Sequence, residues 1–143
     1  MLNLILFFTH FLVNNPSQTW LTDFNKAKIQ AISEHKYILL SFSGSDWCIP
    51  CMKMKRDYFN SSEFLSYAEK HLILVNADFP RKKKNKLSAE VQKQNEFLAS
   101  QFNKSAIFPM TLLLNEKGEI LKSWEGLVKM NQRDFVKELC QIK

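Results

Sequence analysis

Two cysteines three positions apart are the residues of this 143-residue chain whose types and spacing could most clearly do chemistry. They are Cys48 and Cys51, in the stretch LLSFSGSDWCIPCMKMKRDYF (39–59). Residues three apart on a helix lie on the same face, close enough for two sulfur atoms to bond. Such a pair serves as a redox couple, as half of a zinc site or as a static disulfide.

The remaining potential ligands do not complete a zinc site in the sequence. Structural zinc takes four ligands, but the third cysteine, Cys140, lies near the end of the chain and the three histidines show no ligand spacing. Three cysteines are also too few, and an odd number, for a disulfide scaffold. We therefore expect redox chemistry with no metal and no dissociable cofactor, and a static disulfide stays open.

The surroundings of the pair predict a junction between a buried strand and a helix. The apolar run YILLSFS (37–43) is typical of a strand covered on both faces, and a helix is expected to begin near Cys48. Free N–H groups and partial positive charge at a helix N-terminus favour a thiolate over a thiol. Pro50 fits the first turn, where no N–H is needed. We expect an exposed Cys48 to attack a substrate disulfide and a more buried Cys51 to resolve the mixed disulfide.

The rest of the chain predicts one α/β domain. Strands are expected at 37–43, 71–79, 110–114 and 119–124, and helices at 22–36, from about 48, after Ser61 or Ser62, at 88–103 and at 131–142. The expected helix caps are Thr22 or Asp23, Ser61 or Ser62, Ser88 and Asn131. Ile29, Phe97 and Cys140 are among the residues expected to face the core. This order predicts a central mixed sheet of four to five strands with helices on both faces.

The positive charge of the chain is concentrated in one segment. Twenty Lys and Arg against fourteen Asp and Glu give a net charge of +6, and five of the positive residues stand in RKKKNK, residues 81–86, hereafter the basic loop. Without these five the balance is fifteen against fourteen, or +1. A nucleic-acid surface would spread its charge and interleave aromatic residues, so we expect no nucleic-acid partner. The basic loop is either a solvated loop or a docking site for an acidic partner.

The first residues form an apolar segment with the length of a signal-peptide core. Residues 1–16 are too few to span a bilayer as a helix, and they lack both a preceding Lys or Arg and a small-x-small cleavage site. We expect an N-terminal signal peptide or apolar segment at 1–16, followed by a domain at 17–143. This predicts a periplasmic or otherwise extracytoplasmic location without a stable membrane span after processing; a cytoplasmic protein is the alternative.

The stretch LLSFSGSDWCIPC resembles the active-site region of the thioredoxin superfamily. The SGSDWC-x-x-C form is most similar to bacterial exported thioredoxin-like proteins and to the C-terminal periplasmic domain of DsbD-type reductases. The resemblance covers nearly all of residues 20–142, including FPMTLLLNEKGEIL (108–121) and WEG (124–126). It implies the thioredoxin fold, with a cis Pro109 facing the cysteines, Phe108 pairing with substrate backbone and Trp47 flanking the first cysteine. The expected substrate-binding residues are Trp47, Pro50, Phe108 and Pro109.

The sequence departs from the family pattern at two places. Many thioredoxins bury an Asp in the strand before the active site, as proton acceptor for the second cysteine, but Ser41 or Phe42 holds that place here. Asp46 is the nearest acid in the sequence, and we expect it at the surface. The second departure is an insertion at 79–87, which carries the basic loop.

The sequence thus predicts a thiol–disulfide oxidoreductase that reduces or exchanges protein disulfides. The proline before Cys51 favours a reducing enzyme, as in thioredoxin. Its expected partners are disulfide-containing proteins and an upstream dithiol electron donor. The alternatives are a disulfide isomerase or oxidase, and a non-catalytic binding or chaperone-like module with a structural disulfide. The sequence predicts no oligomeric state.

Overall fold

The apolar runs of strand length form one five-stranded sheet in the computed structural model, which describes residues 19–142. The strands are β1 (Trp20–Leu21), β2 (Tyr37–Ser43), β3 (Leu72–Asp78), β4 (Met110–Leu114) and β5 (Ile120–Glu125). Their order in the sheet is β1-β3-β2-β4-β5, with β1 and β2 parallel to β3 and with β4 antiparallel to β2 and β5. The predicted mixed sheet is confirmed, and only the two-residue β1 was missed.

Five α-helices connect and cover these strands. They are α1 (Phe24–Glu34), α2 (Ile49–Lys53), α3 (Ser62–His71), α4 (Ala89–Phe102) and α5 (Gln132–Cys140). α2 continues as a π-helical segment, Met54–Phe59, and a short 3₁₀ turn, Lys83–Asn85, lies within the basic loop. Side chains of four predicted caps accept a backbone N–H at the start of a helix: Asp23, Ser61, Ser88 and Asn131.

Helices on both faces explain why β2 is apolar at successive positions. Ile38, Leu40 and Phe42 lie in the core cluster on the side of α1 and α4, whereas Leu39 belongs to the cluster on the side of α3 and α5. Alternate residues of a strand point to opposite faces, so each face of β2 needs its own apolar set. The fold therefore has three layers, as the continuous apolar run predicts.

Three predicted core residues are instead exposed. Ile29 and Phe97 expose 69% and 62% of their surface, and Cys140 is also exposed. The faces of these helices that meet the protein carry Ala27 in α1 and Leu98 in α4. Successive helical residues point about 100° apart. Phe97 is one residue from Leu98 and Ile29 is two residues from Ala27, about 200° around the helix, so both are turned towards solvent. Cys140 is likewise one residue from the buried Leu139.

The carboxyl ends of β2 and β3 and the start of β4 lie side by side at one end of the sheet. Ser43 at the end of β2 pairs with Asp78 at the end of β3, and Phe42 pairs with Met110 at the start of β4. The chain segments that leave or enter the sheet at these residues therefore lie side by side, and they carry the cysteine pair, the basic loop and Pro109. Within residues 19–142, no helix has the length and apolar character needed to cross a bilayer.

Candidate active site

Cys48 and Cys51 are joined by a disulfide bond at the N-terminus of α2. Their Cα atoms are 5.2 Å apart. Cys48 is the N-cap residue, and its Sγ accepts a hydrogen bond from the backbone N–H of Cys51 at 3.2 Å. After reduction, the same N–H can stabilise a thiolate at Cys48, because a helix N-terminus presents free donors and partial positive charge.

The predicted difference in exposure between the cysteines is wrong for the disulfide form. Cys48 is 4% exposed and Cys51 is 6% exposed, so both are buried. As the cap of α2, Cys48 turns its Sγ towards the first helical turn, where it bonds Cys51. Pro50 lies in that first turn and is exposed, as is its neighbour Ile49.

Pro109 lies against the same cavity as Cys51. The Phe108–Pro109 peptide bond is cis, the isomer that the resemblance implies. The carbonyl of Pro109 accepts a hydrogen bond from Gly126 N–H at 2.8 Å, which ties it to the end of β5. Cys51 and Pro109 both line a cavity of about 180 Å³. The cysteine pair and the cis-proline are thus brought together from segments about 60 residues apart in the sequence.

The segment before Pro109 is held by a buried asparagine. Asn103 is 4% exposed, and its side-chain amide donates to the carbonyl of Ile107 at 2.8 Å while its Oδ1 accepts the Ile107 N–H at 2.9 Å. This pair of bonds satisfies two backbone groups that belong to no strand or helix. Asn103 therefore positions Phe108 and Pro109 from the end of α4, a role that the sequence did not reveal.

The ring of Trp47 connects the cysteine pair with the segment after β3. Its Nε1–H donates to the Phe79 carbonyl at 2.7 Å, and its ring meets that of Phe108 edge-on, with centroids 5.5 Å apart. The Arg81 guanidinium lies 3.8 Å from the ring centroid. A Cβ at Gly44 would stand only 2.2 Å from Trp47 Cε2, so the ring can lie there only because residue 44 is glycine.

Asp46 anchors the basic loop to the active-site segment. Its carboxylate accepts the backbone N–H groups of Arg81 and Lys82 and the side-chain amide of Asn85, each at 2.9 Å. These hydrogen bonds, the one from Arg81 first, lower the pKa of Asp46 to about 2. Asp46 therefore stays ionised at neutral pH, and it lies near the surface as expected but serves as an anchor.

A second carboxylate, that of Asp78 at the end of β3, binds the chain that leaves the end of β2. Its Oδ1 accepts Ser45 N–H at 2.8 Å and its Oδ2 accepts Ser45 Oγ–H at 2.5 Å. The hydroxyl of Ser43 is shared between Asn76 Oδ1 at 2.8 Å and Asp78 Oδ1 at 3.2 Å. These bonds hold the chain that leaves β2 just before it reaches Trp47 and Cys48. Because Ser45 and Asp78 are 33 residues apart, the sequence offers no local signal for this contact.

Comparison with known proteins places this arrangement in a family. Residues 24–142 match the family described as "Thioredoxin-like domain". The chain belongs to the thioredoxin-like family. Together with the fold, the disulfide-bonded C-x-x-C pair supports thiol–disulfide oxidoreductase chemistry.

Relatives that carry Dsb names share this thioredoxin-like fold. The chain is 39% identical over 88 residues to "Disulfide bond reductase DsbH" of Chlamydia pneumoniae, an alignment that covers 62% of this chain and 51% of the relative. A solved structure titled "DsbH Oxidoreductase" is 31% identical with a TM-score of 0.78, covering 87% of this chain and 83% of that one. The oxidised C-terminal domain of DsbD from Neisseria meningitidis gives a TM-score of 0.58 at 19% identity, covering 87% and 100% of the two chains. The chain spans about half the length of the DsbH sequence it matches.

The thioredoxin-like structure gathers the predicted site residues at one edge of the sheet. Trp47 contacts Phe108, and Cys51 shares a cavity with Pro109. The sequence missed Gly44 and Asn103. The local signal for Gly44 is its position three residues before Trp47, because a glycine lets a nearby aromatic ring pack directly against the backbone. Asn103 bonds Ile107 only four residues on, but an Asn at the end of a helix does not by itself show which backbone groups it binds.

Proposed function

We propose that this thioredoxin-like protein reduces disulfide bonds in other proteins, with Cys48 as the attacking thiol and Cys51 as the resolving thiol. The single observation that carries the proposal is the Cys48–Cys51 disulfide capping α2, with the Cys51 N–H on the sulfur of Cys48 at 3.2 Å. That N–H favours the thiolate at Cys48. Pro50 before the second cysteine and the reductase name of a relative support the reducing direction.

The reaction begins with both cysteines reduced. The Cys48 thiolate attacks one sulfur of a substrate disulfide, which forms a mixed disulfide and releases the other substrate sulfur as a thiolate. Cys51 then loses its proton and attacks Cys48, which re-forms the Cys48–Cys51 bond and releases the second substrate sulfur. The substrate gains two electrons and two protons, and an upstream dithiol donor restores the protein by the reverse exchange.

The substrate backbone would bind across the surface that Trp47 and Phe108 form together. The exposed Ile49 and Met52, at 66% and 43%, extend an apolar surface beside the disulfide. A protein substrate can cover such a patch, whereas a small thiol cannot. Phe108 would then pair with the substrate backbone, the cis Pro109 would face the cysteines, and Pro50 would border the bound chain.

We infer that the protein works outside the cytoplasm, where protein disulfides persist. The apolar segment 1–16 supports this location, with the domain following at 17–143. This segment lies outside the described residues, so the inference rests on its sequence and on the Dsb names of the relatives. The test is fractionation of cells that express the full chain, with a Leu4→Lys/Leu6→Lys variant that breaks the apolar run as control.

A glutathione titration followed by tryptophan fluorescence tests the reductase. Trp47 adjoins the pair, so its emission should report the disulfide, and Cys48→Ser serves as control. We expect a reversible two-electron transition near the thioredoxin end of the range, roughly −270 mV. A potential above about −200 mV would instead mark an isomerase or oxidase.

The burial of both cysteines favours a second candidate, a binding module with a structural disulfide. In that case the folded protein would show no transition in glutathione, and its thiols would resist alkylation after forced reduction. The same titration therefore separates the two functions. Reduction of insulin by the pre-reduced protein, measured by turbidity, gives an independent test of the reductase function.

A further inference from the structure

The four lysines of the basic loop have no ion-pair partner among the described residues and face solvent, whereas Arg81 stacks on Trp47. All six residues, 81–86, are exposed. Among residues 19–142 no ion pair involves a side chain of this loop. Five positive charges that repel one another in a short segment weaken a fold unless they act on something else. The charge is therefore available to a partner.

The loop is fixed in place by contacts that leave its four lysine ammonium groups free of ion pairs. Asp46 binds the backbone N–H groups of Arg81 and Lys82 and the amide of Asn85, and it binds none of the lysine ammonium groups. The backbone N–H of Lys86 bonds the carbonyl of Lys83 at 3.2 Å and closes the 3₁₀ turn. An ordered backbone with free side chains presents its charge at a defined position, which lowers the ordering cost of binding.

That position is the rim of the active site. Asp46 is two residues before Cys48, and Arg81 stacks on Trp47, whose ring also contacts Phe108. The basic loop thus borders the surface on which a substrate must lie during thiol exchange. Charges within about 8–10 Å act on one another with little screening at physiological ionic strength.

We propose that the basic loop docks an acidic segment of the substrate protein next to the disulfide being reduced. This inference rests on the proposed reductase function and adds the substrate class to it. The loop is a single short run without interleaved aromatic residues, which does not suit a nucleic acid. Glutamate and aspartate side chains near the substrate cystine would pair with the lysine ammonium groups and raise the rate of encounter.

Two peptides and two protein variants test the proposal. The peptides carry the same internal disulfide, flanked by three Glu in one and by three Gln in the other. The pre-reduced full chain reacts with each peptide in a single turnover, which oxidises Cys48 and Cys51 and reduces the peptide. The rate is measured by tryptophan fluorescence at several salt concentrations. The loop variant is Lys83→Glu/Lys84→Glu. The control variant is Lys70→Glu/Lys117→Glu, exposed lysines at the opposite end of the sheet, which gives the same net charge.

We expect the Glu peptide to react about tenfold faster than the Gln peptide at low salt, and the advantage to fall to about twofold or less in high salt. The loop variant should lose this advantage with an unchanged rate for the Gln peptide, and the control variant should keep it. Asp46 binds backbone of the loop, so the substitutions leave its anchor intact. Should the loop variant fail to fold, Lys83→Gln/Lys84→Gln replaces it with a smaller expected loss.

Each other outcome overturns the proposal in a distinguishable way. Equal rates for the two peptides would leave the reductase standing and remove the docking role. The same loss in the control variant would assign the effect to net charge and not to the loop. Binding of the unaltered protein, but not of the loop variant, to phosphatidylglycerol vesicles, together with equal peptide rates, would make the partner a membrane. No reduction of either peptide would overturn the reductase function and the docking role together.

Discussion

Replacing Gly44 by alanine should displace the Trp47 ring and destabilise the protein by about 2–3 kcal/mol. Gly44 is buried, and an added Cβ would stand 2.2, 2.5 and 2.6 Å from three atoms of the indole. No real Cβ contact is so short, so the ring must move. The φ of Gly44 lies outside the left-handed region, so alanine adds no backbone strain and the cost is steric.

The magnitude follows from the contacts that the ring would lose. The Nε1–H bond to the Phe79 carbonyl, at 2.7 Å, is worth about 0.5–1.5 kcal/mol. The Arg81 guanidinium at 3.8 Å contributes about 0.5–1 kcal/mol, and the edge-on contact with Phe108 contributes about 0.5–1.5 kcal/mol. Loss of all three would cost about 1.5–4 kcal/mol, and the expected 2–3 kcal/mol is the middle of this range.

A double-mutant cycle isolates this cause. Urea unfolding of the oxidised protein, followed by circular dichroism, would be measured for Gly44→Ala, Trp47→Ala and the double variant. In the Trp47→Ala background the ring is absent, so Gly44→Ala should be neutral or stabilise by up to about 1 kcal/mol through lower entropy of the unfolded chain. An equal cost of Gly44→Ala in both backgrounds would refute the reasoning, because the clash would then involve something other than the ring.

Three further predictions concern the loop anchor, the cysteines and the core. Because the folded pKa of Asp46 is about 2 and its ordinary value is 3.8, its stabilisation is complete above about pH 4 and is lost as pH falls towards 2. The protection of the basic-loop amides, measured as the intrinsic exchange rate at each pH divided by the observed rate, should fall over that window, whereas an Asp46→Asn variant should show weaker protection that does not change with pH over this window. Cys51→Ser should accumulate a mixed disulfide with substrate on non-reducing gels and Cys48→Ser should form none; trapping by Cys48→Ser alone would reverse the assigned roles. Leu98→Ala should cost about 2–4 kcal/mol in urea unfolding, and the neighbouring Phe97→Ala within about 0.5 kcal/mol; similar costs would contradict the exposure of Phe97.

The sheet and the cysteine pair could be predicted because each has a local cause. A strand covered on both faces must be apolar at successive positions, so β2 and β3 are legible in the sequence. The caps Ser88 and Asn131 mark helix starts because their side chains bond N–H groups three residues on. The spacing of Cys48 and Cys51 places them on one helical turn whatever the rest of the fold does.

Orientation and long-range contacts could not be predicted in the same way. Phe97 and Leu98 are adjacent apolar residues, and only the position of α4 on the sheet decides which of them is buried. The bond from Trp47 to Phe79 and those from Asp46 to the basic loop join residues 32 to 39 positions apart. No local pattern encodes such pairs. The charge of the basic loop could therefore be predicted from the sequence, but its position at the rim of the active site could not.

The cavity beside Cys51 lacks the carboxylate that many thioredoxins have there, and this affects how the Cys51 proton can leave. Ser41 is buried and lines the same cavity as Cys51, whereas Phe42 points to the opposite face of the sheet. Of the two residues, Ser41 is therefore the one that faces the second cysteine, where the resemblance implies a carboxylate. Across the sheet it pairs with Asn76, and no carboxylate is among the described residues that line this cavity. Neither a hydroxyl nor an amide accepts a proton at neutral pH, and the ammonium group of Lys55, which also lines the cavity, is a donor without an acceptor atom. We therefore expect the Cys51 proton to leave through water in the cavity, without a carboxylate as the proton acceptor.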